Sequence, residues 1–240
     1  MSYRSVEQFG HAAVALATAA LLIAACSRGD AAGSSAKSAT TTAAVASAGN
    51  TPATAGAADS ISAKADRGRI LGDSTAKVWL VMASDFQCPF CKQWHDAQFA
   101  NIVQKYVKSG RVRMAYLNMP LSIHQFAVPA AEAAMCASVQ DKFWPMHDSL
   151  FATQKIWEVL QNPASFFDTL ANHNRVNMAP WRTCVSKHLT VPTIEADYDR
   201  ARTAGVIQTP TFIIGATKLA SADADVAGAL DAALAAKTKP

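Results

Sequence analysis

Runs of apolar residues predict a few short strands, grouped near the two ends of one region of the chain. The continuous apolar run Lys77–Ala83 is typical of a strand buried on both faces. Alternation of apolar and polar residues over Arg111–Leu117 predicts a second strand. Thr211–Ile214 fits a third short strand, and Lys218 with Leu219 fits a fourth. A long stretch without strand character separates the second strand from the third.

Helical patterns fill most of the remaining sequence beyond the first strand. One helix is expected to begin at Pro89, and the last helix has Ser221 as its N-cap, with Asp223 and Asp225 near its positive end. The order is β, α, β, a helical block over about residues 125–205, then β, β, α, which predicts an α/β fold with a helical insertion. The block and the last helix comprise Val128–Gln140, Lys142–Thr153, Pro163–Ala171, Ala179–His188, Pro192–Ala204 and Ala222–Ala236.

Residues 1–25 have the pattern of an export signal. A polar stretch containing Arg4 precedes an apolar run, Ala12–Ala25, that is too short to cross a bilayer of roughly 30 Å. The segment Leu22–Cys26 resembles the lipobox of bacterial lipoproteins, which implies that Cys26 is acylated and becomes the mature N-terminus. Ordinary signal cleavage nearby, with Cys26 as a free thiol, is the alternative.

The segment after Cys26 is expected to be a disordered tether, with residues 26–65 forming the lipidated cysteine and its linker. Residues 27–65 consist mainly of Ala, Ser, Thr and Gly and contain no aromatic residue. Such a segment buries too little apolar surface to offset its ordering entropy. As a flexible coil it would span on the order of 35 Å. Residues 66–240 then form one folded domain.

Composition agrees with one globular domain and excludes a nucleic-acid-binding surface. Of the 240 residues, 50% are hydrophobic and 17% are charged, and the formal net charge is only +4. Scattered positive charge of this size does not form a basic stripe. Five cysteines are too few for a disulfide scaffold, and removing Cys26 from the set leaves four that can pair.

The motif Cys88-Pro89-Phe90-Cys91 lies where the first strand gives way to a helix. Pro89 suits the first helical position, so Cys88 falls at the N-cap, where unpaired N–H groups and the helix dipole stabilise a thiolate. Cys91, one turn later, is expected to face inward. The arrangement predicts an exposed attacking sulfur at Cys88 and a resolving sulfur at Cys91.

Other roles for the cysteines are weighed against redox chemistry. A zinc site needs a second closely spaced pair, and Cys136 and Cys184 are isolated, so no metal is expected. A structural Cys88–Cys91 bridge would close too short a loop to stabilise much. A Cys136–Cys184 disulfide would close a loop of about 48 residues and is favoured in an oxidising compartment. Two free thiols or a second redox pair are the alternatives.

Several segments together resemble the DsbA-like thioredoxin-fold thiol:disulfide oxidoreductases. The resemblance covers about residues 66–236 and implies a thioredoxin fold with an inserted helical subdomain. It also implies a redox-active disulfide at Cys88 and Cys91, with no further cofactor. The matching segments are Ile70–Asp73, Ser84–Cys91, Ala130–Ala137, Lys142–Asp148 and Gln208–Gly215.

The same resemblance assigns substrate binding to the surroundings of the two cysteines. It implies a cis peptide bond between Thr209 and Pro210, in a loop that packs against the active-site disulfide and offers backbone hydrogen bonds to an extended substrate. Pro89 and Phe90 are the other expected substrate-binding residues. Thr209 is bulkier and more polar than a valine and should modulate substrate release.

Two residues depart from the pattern of the family. Relatives commonly carry a buried carboxylate six residues before the first cysteine, where this chain has Met82. Loss of that charge favours the Cys88 thiolate and slows proton removal from Cys91, whereas Phe90 cannot donate a hydrogen bond as a histidine there can. We expect a reduction potential between about −270 and −120 mV, the values of thioredoxin and DsbA.

Several polar and aromatic residues lie near the motif in the sequence. Asp85 is a candidate replacement for the missing carboxylate, and His124 is expected to be a hydrogen-bonding loop residue. His95 is expected to face solvent, with a role as a proton carrier as the alternative. Four aromatic side chains are candidates for an apolar surface around Cys88, although some belong in a core. They are Phe86, Phe90, Trp94 and Phe126.

The resulting functional hypothesis is oxidation of dithiols in exported proteins by a monomeric lipoprotein of the periplasm or cell envelope. A quinone-linked membrane partner would reoxidise the protein. A reductase or isomerase would instead need a reducing membrane partner. A non-catalytic lipoprotein that binds a client through its apolar surface is the alternative from another class.

Overall fold

The computed structural model describes residues 60–238, which contain a five-stranded mixed sheet with helices on both sides. The predicted signal peptide, the acylated Cys26 and nearly all of the predicted tether lie outside the described residues. The strand order is β1-β3-β2-β4-β5. The strands are β1 (Ile70–Leu71), β2 (Val78–Ser84), β3 (Val112–Asn118), β4 (Thr211–Ile214) and β5 (Thr217–Ala220).

The central strand, β2, pairs in parallel with β3 and antiparallel with β4. The parallel pairing needs a crossover, and the helix that follows β2 supplies it. The edge strands β1 and β5 are antiparallel to their neighbours. Burial on β3 alternates strictly, as its sequence pattern predicts, whereas β2 is mostly buried apart from Trp79. The sheet is therefore a thioredoxin fold.

The crossover helix is continuous but irregular. It begins as α2 (Pro89–Trp94) and contains α3 (Ala100–Ile102), with one π-helical turn between these pieces and another after α3. The π-helical turns cover His95–Phe99 and Val103–Val107. Such turns are rare and are found preferentially near functional sites. The first one lies immediately after the piece of helix that carries the cysteine motif.

A helical insertion between β3 and β4 covers one side of the sheet. A disulfide joins Cys136 and Cys184, whose Cα atoms are 5.8 Å apart, and links two of its helices. No helix in residues 60–238 is long and apolar enough to span a bilayer. The insertion contains α4 (Ala127–Ser138), α5 (Phe143–Ala152), α6 (Gln154–Trp157), α7 (Ala164–His173), α8 (Met178–Ser186) and α9 (Val191–Thr203).

The predicted end of the tether at residue 65 is wrong, because the fold includes an earlier helix, α1 (Ile61–Gly68). Ser60 caps this helix by accepting a hydrogen bond from the Ala63 N–H. Ala65 is fully buried, and a Cβ on Gly68 would lie 2.4 Å from the Ser138 carbonyl oxygen of α4. Tertiary packing on α4 therefore orders a segment whose composition alone indicates disorder.

The last helix, α10 (Val226–Thr238), begins later than predicted. Asp225, not Ser221, caps it, because Asp225 Oδ1 accepts a hydrogen bond of 2.8 Å from the Gly228 N–H. Ser221 instead accepts a hydrogen bond from the Asp223 N–H in the preceding turn. The structure also adds the short elements β1 and α6, which the sequence pattern does not predict.

Candidate active site

The Cys88-Pro89-Phe90-Cys91 motif forms the first turn of the crossover helix. Cys88 is the N-cap in an extended conformation, Pro89 opens α2, and the Cys88 carbonyl accepts a hydrogen bond from the Lys92 N–H at 3.1 Å. The helix therefore begins at the residue that the sequence predicts. Unpaired N–H groups of the first turn point toward the Cys88 sulfur.

Both sulfurs lie below the surface, which corrects the expectation that Cys88 is exposed. Cys88 is 3% exposed and Cys91 is 2% exposed. Cys88 lies on the floor of a groove of about 520 Å³, so a substrate must enter the groove to reach it. The walls include Pro89, Phe90, Gln93, Leu121, Ile123, His124, Ile207, Gln208, Thr209, Pro210, Ala220, Ser221, Ala222 and Asp223.

The loop before β4 forms the wall that faces Cys88. The peptide bond between Thr209 and Pro210 is cis, as the family resemblance implies. The Cys88 thiol donates to the Thr209 carbonyl oxygen across 3.5 Å. In this thiol form the buried Thr209 hydroxyl has no hydrogen-bond partner. A Cys88 thiolate would become an acceptor, for which the Thr209 hydroxyl is available as a donor.

The two thiols of the motif have opposite acidities. The pKa of Cys88 is lowered to about 6, mainly by a hydrogen bond from Cys91, with smaller contributions from the Thr209 hydroxyl and the N–H groups of Phe90 and Cys91; burial opposes this lowering. Burial raises the pKa of Cys91, and so does the charge on Cys88. At neutral pH Cys88 therefore carries the thiolate, while Cys91 remains a thiol.

Beneath Cys91, the position of the missing carboxylate is apolar but has hydroxyl groups beside it. Met82 is buried on β2 and aligns with Tyr116 on β3. Burial raises the pKa of Tyr116, and the Tyr116 hydroxyl has no hydrogen-bond partner. The nearby Ser84 hydroxyl lowers the pKa of both Tyr116 and Cys91, although burial outweighs it at each of them. These hydroxyls are neutral donors and do not replace a proton-accepting carboxylate.

Asp85 does not replace the missing carboxylate, because both of its side-chain oxygens accept hydrogen bonds from groups other than Cys91. Its Oδ1 accepts a hydrogen bond of 2.8 Å from the Gln87 N–H. Its Oδ2 accepts hydrogen bonds from the Leu121 N–H at 2.9 Å and from His124 Nδ1 at 2.7 Å. The hypothesis that Asp85 serves Cys91 is therefore wrong.

Gln154 is a functional residue that the sequence analysis missed. It is fully buried on α6, and its side-chain amide donates to the carbonyls of Phe86 at 2.7 Å and Cys88 at 3.1 Å. Lys92 on the crossover helix makes a second hydrogen bond to the insertion, from its Nζ to the Phe151 carbonyl. The helical insertion thus holds the cysteine motif directly. A lone glutamine after a predicted helix carries no sequence signal for this role.

Of the four aromatic candidates for an apolar surface, only Phe90 is exposed. Its exposed fraction is 60%, whereas Phe86, Trp94 and Phe126 are buried in the core. Two aliphatic residues that the sequence analysis did not identify, Ile123 and Ile207, complete the exposed apolar rim of the groove. They lie in loops, where an isolated isoleucine has no periodic pattern to mark its exposure.

His95 does not face solvent as predicted. Its side chain is 14% exposed and contacts carboxylates on both sides, Asp96 at 3.2 Å and Asp148 at 3.2 Å. The fully buried His147 donates to the same Asp148 oxygen at 2.8 Å. Within residues 60–238, His95, His147 and Asp148 are the one group with metal-ligand spacing, their donor atoms lying within 4.8 Å of one another. His95 Nε2 and His147 Nδ1 both bond Asp148 Oδ1, whereas the buried His147 Nε2 has no hydrogen-bond partner.

The thioredoxin sheet has a helical insertion, a CxxC pair at the start of the crossover helix and a cis-proline loop facing that pair, which together are the features of the DsbA-like thioredoxin fold. A family model described as thioredoxin matches residues 64–232. The chain belongs to the thioredoxin family.

Comparison with known proteins finds relatives that match more than half of this chain. The chain is 33% identical over 150 residues to the Na⁺/H⁺ antiporter NhaA 3 of Salinispora tropica, matching 62% of this chain but only 22% of that protein. It is 23% identical over 155 residues to disulfide bond formation protein D of Bacillus subtilis, covering 60% of this chain and 66% of that protein. The chain thus spans about a fifth of the length of the antiporter.

Among solved structures, oxidised BdbD from Bacillus subtilis superposes with a TM-score of 0.63 and 24% identity. The superposition covers 70% of this chain and 94% of BdbD. At this level of identity the likeness is one of fold. It extends to nearly the whole of BdbD, so the helical insertion belongs to the shared architecture.

Proposed function

We propose that the protein oxidises dithiols of exported proteins through a redox-active Cys88–Cys91 disulfide, outside the cytoplasm. The observation that carries the proposal is the contrast in acidity between the two sulfurs. Cys88 has a pKa lowered to about 6 by hydrogen bonding and lies in an open groove, while burial keeps Cys91 protonated. A stabilised thiolate favours the reduced dithiol, and so makes the disulfide form an oxidant.

The reaction proceeds in two thiol–disulfide exchanges. A substrate thiolate attacks Cys88 Sγ in the disulfide, forms a mixed disulfide with it and displaces Cys91 as a thiolate, which takes up a proton. A second substrate thiolate then attacks the substrate sulfur of the mixed disulfide and displaces Cys88 as a thiolate. The substrate gains a disulfide, losing two electrons and two protons in total, and the protein gains a dithiol.

The groove supports an extended, partly apolar substrate segment. Phe90, Ile123 and Ile207 offer exposed apolar contacts at its rim. Thr209 lies in the wall that faces Cys88, with Pro210 next to it, and its backbone is placed to pair with a substrate backbone. Unfolded exported chains expose such segments, so they are the expected substrates.

The cellular setting follows from the N-terminal sequence and is part of the same proposal. Cys26 would be acylated, and the chain from there to residue 60 would tether a monomeric domain to a membrane of the cell envelope. Two or three acyl chains suffice for stable attachment. A quinone-linked membrane protein would reoxidise the Cys88–Cys91 dithiol, and no cofactor besides the disulfide is needed.

The test is oxidation of a reduced, unfolded dithiol protein by full-length protein, compared with Cys88→Ser and Cys91→Ser variants. We expect Cys88→Ser to lose activity, and Cys91→Ser to trap a mixed disulfide with substrate. Full activity of Cys88→Ser would contradict the proposal. The reduction potential gives the direction: a value above about −180 mV supports the oxidase, and one near −270 mV supports a reductase.

A further inference from the structure

The side of the groove that faces Phe90 carries a histidine held by a buried acid. His124 Nδ1 donates to Asp85 Oδ2 at 2.7 Å, because the carboxylate can only accept. The Asp85 side chain is fully buried, and two backbone N–H groups fix its oxygens. The rigid Asp85 therefore sets both the position and the ring orientation of His124.

With its Nδ1 bound to Asp85, His124 directs the rest of its ring toward the groove. The side chain is 15% exposed, and it lines the same groove as Cys88. Phe90 occupies the motif position from which a polar residue could contact the Cys88 sulfur, and it is apolar. His124 is thus the basic side chain that lines the groove above Cys88 in the described part of the chain.

We propose that His124, oriented by Asp85, is the positioning residue that supplies positive charge to the Cys88 thiolate in place of a donor at position 90. This inference rests on the proposed redox role of Cys88. In the second exchange, the bond between Cys88 and the substrate sulfur breaks and its electron pair moves to Cys88 Sγ. A protonated His124 across the groove stabilises the negative charge that forms there.

The charged groups around His124 favour its protonated, cationic form. A hydrogen bond to Asp85 raises the pKa of His124, and the charges of Asp85, Cys88 and Glu158 raise it further. Asp223 lines the far side of the groove. On its other face His124 lines a cavity together with the α9 residues Glu195 and Asp199. Burial opposes protonation of His124, but the hydrogen bond to Asp85 and the negative charges around it raise its pKa overall.

The experiment measures the rate at which iodoacetamide alkylates Cys88 in the reduced full-length protein as a function of pH, followed by mass spectrometry of the Cys88 peptide. We expect His124→Gln to raise the pKa of Cys88 by about one unit, since a unit charge across a solvated groove has an effect of this size. His124→Lys retains a positive charge and should leave the pKa low.

Two further variants separate this role from a structural one. Phe90→His in the His124→Gln background should restore the low pKa. His173→Gln, at the exposed end of α7, is the control and should change nothing.

The outcomes keep the two proposals distinct. An unchanged Cys88 pKa in a folded His124→Gln variant would overturn the role of His124, while the wild-type protein would still oxidise dithiols. If instead the wild-type protein fails to oxidise dithiols, the proposed function fails whatever the Cys88 pKa. If both His124→Gln and His124→Lys raise the pKa equally, charge is not the cause and the inference is wrong.

Discussion

Met82 on β2 lies beside Tyr116 on β3 in the parallel register, at the place where the family resemblance implies a buried carboxylate. The methionine is 2% exposed and the tyrosine hydroxyl has no hydrogen-bond partner. The floor under Cys91 is consequently uncharged. Nothing there raises the pKa of Cys88 by like-charge repulsion, and nothing there accepts the proton of Cys91.

A carboxylate placed at position 82 should therefore make the Cys88–Cys91 disulfide a weaker oxidant. We expect Met82→Glu to raise the pKa of Cys88 by about one unit relative to Met82→Gln, because only the glutamate carries charge. The measurement is the pH dependence of Cys88 alkylation in the two variants. Equal pKa values in folded Met82→Glu and Met82→Gln proteins would show that this position does not communicate with Cys88.

The buried His147 should make the protein sensitive to mild acid. Burial lowers the pKa of His147 to about 4, whereas its value in the unfolded chain is near 6.5. The unfolded chain thus binds a proton first, and stability falls as the pH drops from about 6.5 to 4, by about 3 kcal/mol in total.

Replacing His147 with phenylalanine tests this origin, since aromatic rings of Phe86, Phe143 and Phe151 already surround it. The free energy of unfolding of His147→Phe should fall less steeply over this pH range, as measured by urea denaturation. His173→Gln provides the matched control. The lowered pKa of Asp148, about 2, affects stability only at lower pH. A wild-type slope retained by His147→Phe would assign the acid sensitivity to other groups.

The Cys136–Cys184 disulfide should act on stability and not on the redox reaction. It closes a loop of 48 residues within the insertion. Removing both sulfurs with Cys136→Ala and Cys184→Ala should cost about 4 kcal/mol of unfolding free energy through loss of the chain constraint. Urea denaturation gives this loss, and the rate of dithiol oxidation should stay unchanged. A folded double variant with greatly reduced activity would indicate a second redox pair.

Gln154 should be needed to hold the motif in place. Gln154→Leu removes the donor from the buried carbonyls of Phe86 and Cys88 while keeping side-chain volume. The Cys88 carbonyl keeps its hydrogen bond from the Lys92 N–H, so only the Phe86 carbonyl is left unsatisfied. We expect a loss of about 1–3 kcal/mol from that carbonyl, and slower dithiol oxidation because the first turn is less fixed. Unfolding free energy and single-turnover rates measure the two effects. The exposed Gln161→Leu is the control, and similar behaviour of both variants would deny Gln154 a special role.

The sequence correctly predicted the elements whose stability depends on local sequence pattern. The strand over Thr211–Ile214 and the helix that begins at Pro89 agree with the structure at those positions. The sequence-based predictions fail where contacts between residues far apart in the chain determine the structure. The helix α1 is ordered by contact with Ser138, far along the chain, and its own alanines and serines predict a tether. The Asp225 cap was missed because Ser221 and Asp225 are both good N-cap residues.

The site was predictable in its cysteines and less so in its surroundings. Cys88 and Cys91 follow from spacing and from the strand-to-helix transition. The hydrogen bond between Asp85 and His124 joins residues 39 positions apart, and neither position has a pattern that indicates its partner. Exposure was also unpredictable at Trp94, because an aromatic residue one turn into an active-site helix suits either the groove or the core.

The two hydrogen bonds from Gln154 also bear on how the chain folds. The carbonyls of Phe86 and Cys88 belong to the sheet-to-helix transition, yet their shared donor comes from the insertion. A folding intermediate with a complete sheet and an unformed insertion would leave Gln154 out of reach of these buried groups. Sheet and insertion should therefore unfold in one cooperative transition, and partial proteolysis should not release the insertion as an intact fragment.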